Sequence, residues 1–368
     1  MSVVWHRMNL GENMQASSID AATQGEAFAE RVGARALREW IIGEPQTYTR
    51  VFLVESGANA APIDEVAVEG DVVLLPDGSE PIRGAATAVH YSGALTEIGD
   101  ELFLGDRGVE LQDYVAAEFV QIIGPTAVCF PDAASWQAFL DDARLARRTG
   151  VFPSALLDPR VILAHRGALA NPQRIATPSA IRVRADGRVS VGVRGEVIGS
   201  IDDLRSAITA PLPQIAAWAG AASITTIAAD LADRDGVGRY LHATDLMKML
   251  RLANGSARIG GFGWSPLDDG RADAEPLPAD PFLLETPDGV VLADVTTLRR
   301  QLLSPLTATV VAAVQTSRSH EVATERVARR LGMTASAAGA LCRDAVSALS
   351  IHVGRAAARE SRTTGIAE

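Results

Sequence analysis

A segment rich in glycine, proline and acidic residues, NGSARIGGFGWSPLDDGRADAEPLPADP at 254–281, most constrains how this chain can fold. It has little hydrophobic periodicity, so it predicts neither a helix nor a regular strand. A chain of 368 residues is long enough for two domains or more. We therefore expect a larger body over residues 24–255, a linker over 256–280 and a smaller domain over 281–354. Residues 355–368 are expected to form a disordered tail.

The body mixes strand and helix patterns. The run AIRVRADGRVSVGV (Ala180–Val193) alternates on both sides of Asp186-Gly187, which predicts a tight hairpin. Apolar runs typical of strands occur at 47–55, 72–76, 85–93, 101–105 and at the two ends of 117–130. Helical patterns occur at 25–42, 131–148, 200–208, about 212–232 and 243–253. These patterns predict a mixed α/β or α+β body.

After the expected linker, the strand patterns come first. FLLETP and VVLAD flank Asp288-Gly289, which predicts a second hairpin, and LRRQLL (Leu298–Leu303) predicts a third strand. Three helices should follow. Ser304 and Pro305 begin the first, whose buried side is expected to be Leu306, Val310 and Val314.

The second helix, SHEVATERVARRLGM, should end at Gly332, and Thr334 should cap the third. Apolar positions in ASAAGALCRDAVSALSIHV follow the spacing of an amphipathic helix. Three strands followed by three helices, the last two joined by a tight glycine turn, predict a winged helix-turn-helix. The expected fold class is therefore α+β or α/β, with a mixed N-terminal body and a C-terminal winged helix-turn-helix domain.

This order of elements, with SPLTATVVAAV and ERVARRLGM in its first two helices, resembles the RiPP recognition element (RRE). An RRE binds the leader region of precursor peptides in the biosynthesis of ribosomally synthesised, modified peptides (RiPPs). The chain is similar in size and order to daptide-type recognition proteins, in which an RRE is carried on a longer body. The specific motifs of the resemblance cover residues 281–354.

The resemblance implies a non-catalytic recognition subunit that needs no cofactor and no metal. Its implied partners are a precursor peptide, an oxidative decarboxylation enzyme, an aminotransferase and a methyltransferase. The body over residues 24–255 has two open interpretations. It docks these enzymes, so that leader capture raises their effective concentration at the precursor, or it is a degenerate enzyme fold kept for dimerisation.

The implied peptide site combines the third strand with the third helix. An edge strand can pair with an extended peptide through its free N–H and C=O groups, while side chains select the sequence. Arg299 and Arg300 would pair with leader carboxylates, and Leu302, Leu341 and Ala345 would form the floor of an apolar groove. The alternative is that these residues only pack against the sheet. The candidate site residues are Leu298, Arg299, Arg300, Gln301, Leu302, Ala338, Leu341 and Ala345.

A DNA-binding regulator is the main alternative, because ATERVARRLGMTASAAGALCRDAV also fits a helix-turn-helix. Recognition helices usually offer Arg, Lys, Asn or Gln near their start, whereas this helix has no such side chain before Arg343. Phosphate contacts would then depend on Arg326, Arg329 and Arg330 of the preceding helix.

Charge also argues against nucleic acid as a partner. The formal net charge is −11, and residues 281–368 carry ten arginines against eight acidic residues, a net of +2. Residues 1–280 therefore carry −13, which opposes general binding to nucleic acid or anionic membranes. The sequence contains no apolar run typical of a signal peptide or a membrane helix, so we expect a cytoplasmic protein.

Catalytic and metal-binding signatures are weak. HATD (His242–Asp245) is more typical of a cap or a surface pair than of a metal site. IGGFGW (Ile259–Trp264) lacks the lysine and the strand–helix context of a phosphate-binding loop. Cys129 and Cys342 fit no metal spacing and no disulfide framework, so both are expected to be buried thiols.

Overall fold

The computed structural model describes residues 28–232 and 236–356. Within them the chain is a mixture of α and β structure, as the sequence predicts. Residues 24–27 of the expected body and residues 357–368 of the expected tail lie outside the described residues. Arg355 and Ala356, also assigned to the tail, form a short strand instead.

The first part of the chain combines a large sheet with helices on its faces. Its helices are α1 (28–42), α2 (Ala133–Thr149), α3 (Ser154–Leu157), α4 (Arg166–Ala170), α5 (Leu204–Thr209), α6 (Ile224–Ala232) and α7 (Val237–Leu250). Its strands are β1 (Val51–Val54), β2 (Val72–Pro76), β3 (Thr87–Gly93), β4 (Glu101–Leu104), β5 (Arg107–Asp113), β6 (Thr126–Cys129), β7 (Val161–Leu163), β8 (Ile175–Ala176), β9 (Ala180–Val183), β10 (Arg188–Val191), β11 (Val197–Ser200) and β12 (Leu212–Pro213).

Ten of these strands form one sheet in the order β11-β10-β9-β1-β2-β3-β4-β5-β6-β7. The pairs β9–β1, β1–β2 and β2–β3 are parallel, as are β5–β6 and β6–β7. The remaining pairs are antiparallel. Trp40 of α1 and Trp136 of α2 are buried in the cluster on one face, and Phe52 is buried in the cluster on the other.

Local sequence accounts for several element boundaries. Asp132 caps α2 by accepting a hydrogen bond from the Ser135 N–H at 2.9 Å. The hairpin β9–β10 turns at Asp186-Gly187, where Gly187 has a φ of 79° that favours glycine. The hairpin was expected from the sequence. Strand β5 was not predicted, because its residues alternate weakly between polar and apolar; pairing with β4 and β6 on both sides stabilises it.

The last part of the chain forms a second sheet and three helices. The strands are β13 (Arg258–Gly260), β14 (Gly263–Trp264), β15 (Ala274–Glu275), β16 (Phe282–Thr286), β17 (Gly289–Ala293), β18 (Arg300–Leu303) and β19 (Arg355–Ala356). The helices are α8 (Pro305–Gln315), α9 (His320–Leu331) and α10 (Ala335–Leu349). Five strands pair in the order β14-β13-β16-β17-β18, while β15 pairs with β19.

The three helices begin and end close to the predicted positions. The Ser304 hydroxyl accepts from the Thr307 N–H, and the Thr334 hydroxyl accepts from the Ala337 N–H. Gly332 ends α9 with a φ of 65°. These caps are local, because each needs only residues within one turn of the helix end, and this explains why the sequence predicts them.

The segment 256–280, expected to be a linker, is folded onto both parts of the molecule. Ile259, Phe262 and Leu267 are buried, and β13 pairs with β16. Gly263, with a φ of 67°, lies so close to the Thr149 backbone that a Cβ could not fit. The large apolar residues of this segment pack against the rest of the molecule, which its overall composition does not reveal.

The second sheet lies between two cores. Leu283, Leu292 and Leu303 point toward α8–α10 and share their hydrophobic cluster. Phe282 and Leu284, on the opposite face, join the cluster of the large sheet and its helices. Because side chains alternate along a strand, successive residues of one strand serve different cores. Side chains of β18 can contact the same side of a ligand only if they lie on the same face of the sheet.

Candidate functional site

Strand β18 is the outer strand of the second sheet, and among the described residues β17 is its only partner. The Asp294 N–H donates to the Arg299 carbonyl at 3.0 Å, which identifies 294 and 299 as a hydrogen-bonded pair. Such pairs alternate along an antiparallel ladder. Gln301 and Leu303 therefore bond inward to β17, and the N–H and C=O groups of Arg300 and Leu302 point outward.

Apolar side chains are unusually exposed around this edge. Leu298 and Leu302 are 65% and 64% exposed, and Leu306, at the start of α8, is 43% exposed. The expectation that Leu306 belongs to the buried side of α8 is therefore wrong, whereas Val310 and Val314 are buried as expected. Leu306 was missed as a candidate because the helical spacing alone cannot reveal that the first turn extends past the core.

The third strand begins two residues later than predicted. Leu298 has a φ of 58°, a left-handed conformation that an L-residue with a branched side chain rarely adopts. A turn capped by Asp294 precedes it, since that carboxylate accepts the Thr296 N–H at 2.8 Å. Leu298 and Arg299 therefore lie in the connection before β18. The backbone of the exposed Leu298 is strained.

Arg299 and Arg300 are both exposed. Within residues 28–232 and 236–356, neither guanidinium group forms a salt bridge. Two positive charges beside an open backbone edge can attract a carboxylate on an incoming segment.

The predicted groove residues do not all share one surface. Leu302 pairs with Val291 on the face of the sheet that carries Phe282 and Leu284, whereas Gln301 and Leu303 point toward the helices. The expectation that Leu302 and Leu341 form one groove floor is therefore wrong. The period of two along β18 places these leucines on opposite faces of the sheet.

Helix α10 offers little apolar surface of its own. Ala338 is completely buried and Ala345 nearly so, while Leu341 is partly exposed. Ala338 therefore cannot contact a peptide that docks on this conformation, and Ala345 has little surface to offer. Both alanines share a hydrophobic cluster with Leu303, so α10 and β18 are held against one core with α8 between them.

The arginine side chains proposed for phosphate contacts are not equally available. Arg326 is almost completely buried, and its Nε and Nη2 donate to the two oxygens of Asp269, each at 2.9 Å. Its Nη1 donates to the Thr316 carbonyl and to the Ser317 hydroxyl. This group is therefore committed to holding the segment 256–280 against α9.

Among the residues that the structure describes, the histidine and cysteine side chains form no reactive cluster. Nδ1 of His242 lies 3.0 Å from the Pro278 carbonyl oxygen, and Asp245 pairs with Arg166. In the described residues, no group of three or more His, Cys, Asp or Glu side chains could hold a metal ion. Cys129 and Cys342 are buried and free, and burial raises the pKa of Cys129 to about 12.

Comparisons with protein-family models, with curated proteins and with solved structures found no match for this chain. Among the helices of the described residues, none is both long and apolar enough to cross a bilayer.

Proposed function

We propose that this chain binds the leader region of a ribosomally synthesised precursor peptide by β-strand addition. It then presents the peptide to modifying enzymes, as the resemblance to daptide-type recognition proteins implies. The observation that carries the proposal is the outer strand β18, whose outward N–H and C=O groups at Arg300 and Leu302 have no strand partner among the described residues. A peptide strand would satisfy them.

The arrangement of elements supports the same function. The strands β16, β17 and β18 are followed by the helices α8, α9 and α10 in the order of a winged helix-turn-helix. The last two helices are joined by a short turn at Gly332. We therefore propose a winged helix-turn-helix of the RRE type, extended by β13 and β14 at the edge opposite to β18.

Side chains at the edge suggest what the peptide contains. Leu298 and Leu302 expose apolar surface, and Arg299 and Arg300 are exposed positive charges that form no salt bridge among the described residues. A leader segment that combines apolar and acidic residues would complement both features. Leu302 provides the apolar contact on one face of the added strand, while Leu341 lies on the helix side.

DNA binding has less support than peptide binding. Arg326 is one of the three arginines on which phosphate contacts would depend, but it is buried and paired with Asp269. The first turn of α10 exposes Ala335, Ser336 and Ala337, of which only the serine can hydrogen-bond a base. Binding of DNA from its own locus, with a strong dependence on salt, would favour this alternative.

Leu302→Pro tests strand addition directly. Proline removes the outward N–H of residue 302 but no hydrogen bond to β17, so an edge strand should tolerate it. We expect circular dichroism to be unchanged and the affinity for a fluorescein-labelled leader peptide, measured by anisotropy, to fall by about tenfold or more. The control Leu302→Val keeps both the N–H and an apolar side chain, and it should bind within about threefold of the wild type. A folded Leu302→Pro protein that binds like the wild type would contradict strand addition.

Presentation to the enzymes is tested in a reconstituted reaction. The proposed partners are an oxidative decarboxylation enzyme, an aminotransferase and a methyltransferase, with the body over residues 24–255 as their docking part. We propose that precursor processing in their presence requires wild-type leader binding, so Leu302→Pro should slow it and Leu302→Val should not. Equal processing with and without the full chain would rule out this role.

A further inference from the structure

A cavity of about 430 Å³ lies in the body, away from strand β18. Its walls include Arg182 and Arg184 at the end of β9, Ser190 of β10, and the loop that follows β3. The cavity lies beside β9 and β10, where Arg182 and Ser190 are opposite each other in the ladder, and the segment that follows β10 forms another part of its wall.

One wall of the cavity is a buried arginine. Arg182 is almost completely buried, and its guanidinium lies 5.3 Å from the ring centre of Trp40. Its Nη1 donates to Glu55 at 3.1 Å, and its Nη2 donates to the Leu95 carbonyl at 2.5 Å. Burial lowers the pKa of this arginine, which means that its charge is costly here. A buried charge of this kind is stable only when it is paired or hydrogen-bonded, or when it binds a ligand.

Two further arginines bring positive charge to the same space. Arg194 donates to the Thr96 carbonyl at 3.2 Å and to Glu97 at 2.9 Å, but Glu97 is largely exposed at the rim. Arg184 is half-buried, and in the described part of the chain it forms no salt bridge. The Nε–H groups of Arg182 and Arg194 are buried without an acceptor among the described residues.

Two of the three arginines that line the cavity already pair with a carboxylate, Arg182 with Glu55 and Arg194 with Glu97. Three arginines line the cavity against two glutamates, Glu97 and Glu196, and both glutamates are exposed. Guanidinium groups hydrogen-bond strongly to planar or tetrahedral oxyanions.

We propose that this cavity binds a small ligand through an oxyanion, either a carboxylate or a phosphate group. Arg184 supplies a guanidinium that forms no salt bridge among the described residues, and the buried Nε–H groups of Arg182 and Arg194 are further donors that lack an acceptor there. Ser190 and Thr96 add hydroxyl groups to the lining. The site lies beside strands of the ten-stranded sheet, whereas β18 belongs to the second sheet, so this proposal does not rest on leader binding.

Isothermal titration calorimetry on the full chain, at constant ionic strength, tests this site with inorganic phosphate and with citrate as separate probes. We expect at least one probe to bind, and Arg184→Gln to weaken binding by about tenfold or more, since one charge-assisted contact is lost. The matched control Arg188→Gln removes an exposed arginine of the same hairpin that does not line the cavity, so its affinity should be unchanged.

The two probes distinguish the source of the oxyanion. Binding of phosphate alone supports a phosphorylated ligand, and binding of citrate alone supports a carboxylate ligand. The proposal is overturned if neither probe binds, or if Arg184→Gln, with an unchanged circular dichroism spectrum, binds as tightly as Arg188→Gln.

Discussion

His165 is buried between the end of α1 and the segment that follows β10. Its N–H donates to the Ile41 carbonyl at 2.8 Å, and its Nε2 accepts the Val193 N–H at 2.9 Å. A Cβ on Gly192 would lie 1.8 Å from the imidazole, so this glycine is required by close approach. Burial, together with the nearby charge of Arg182, lowers the pKa of His165 to about 4, so the ring is neutral at pH 7.

Acid should destabilise the protein through this histidine. The unfolded chain binds its proton below about pH 6.5, but the folded chain does so only near pH 4. The free energy of unfolding should therefore fall as the pH drops through this window, by about 2 kcal/mol between pH 7 and pH 5 from this residue alone. Asparagine does not titrate and tolerates the left-handed φ of 45° at this position.

Urea unfolding of the wild type and of His165→Asn at both pH values measures the effect. The variant should be less stable at pH 7 and should lose clearly less stability than the wild type on acidification. The same pH dependence in both proteins would show that His165 is not the titrating group.

Among the elements, the segment 256–280 differs most from expectation. It supplies β13 and β14 to the second sheet and is fastened to α9 through Asp269 and Arg326. Hydrogen bonds from Arg326 hold the pKa of Asp269 below its usual value. This contribution to stability is therefore complete above about pH 4 and disappears as the pH falls through the lowered pKa.

Asp269→Asn should destabilise the protein by about 2–3 kcal/mol at pH 7. The change leaves the buried guanidinium of Arg326 without its carboxylate, which costs more than the loss of an exposed pair. Asp268→Asn is the matched control, because Asp268 is the exposed neighbour of Asp269. This substitution should change stability by less than about 0.5 kcal/mol. Chemical unfolding of both variants decides the point, and equal stabilities would mean that this ion pair does not hold the segment.

At the scale of the whole molecule, the second sheet is not independent of the body. Phe282 and Leu284 are buried in the cluster of the large sheet, and the guanidinium of Arg239 lies 3.9 Å from the Phe282 ring centre. Arg239 also donates to the Leu277 and Asp280 carbonyls, both at 2.9 Å. Burial lowers the pKa of this arginine to about 10, so it remains charged at pH 7.

A fragment of residues 256–356 should not behave as a free domain. Without the body, the face of the sheet that carries Phe282 and Leu284 becomes exposed, and an apolar face of this kind promotes association. We expect light scattering after gel filtration to show oligomers, and the fragment to bind the dye ANS more strongly than the full chain does. A monomeric fragment that binds no ANS would contradict this view of the interface. Leader binding is therefore best measured on the full chain.

Local patterns in the sequence are sufficient for much of this fold. Three examples are the caps at Ser304 and Thr334 and the hairpin at Asp186-Gly187. Each depends on residues within a few positions of one another, so each can be predicted from the sequence. The third strand was also predicted, with its start displaced by the left-handed Leu298.

Only tertiary contacts decide which surfaces remain open. Leu302 and Leu341 lie on opposite sides of the second sheet, because the pairing of β18 with β17 fixes which face each side chain of β18 occupies. The side chains of β17 in turn contribute to two different hydrophobic clusters. Arg326 is indistinguishable from a solvated arginine until Asp269 is brought beside it from 57 positions away. Burial and pairing between distant segments arise from the whole packing arrangement, and no window of neighbouring residues contains that information.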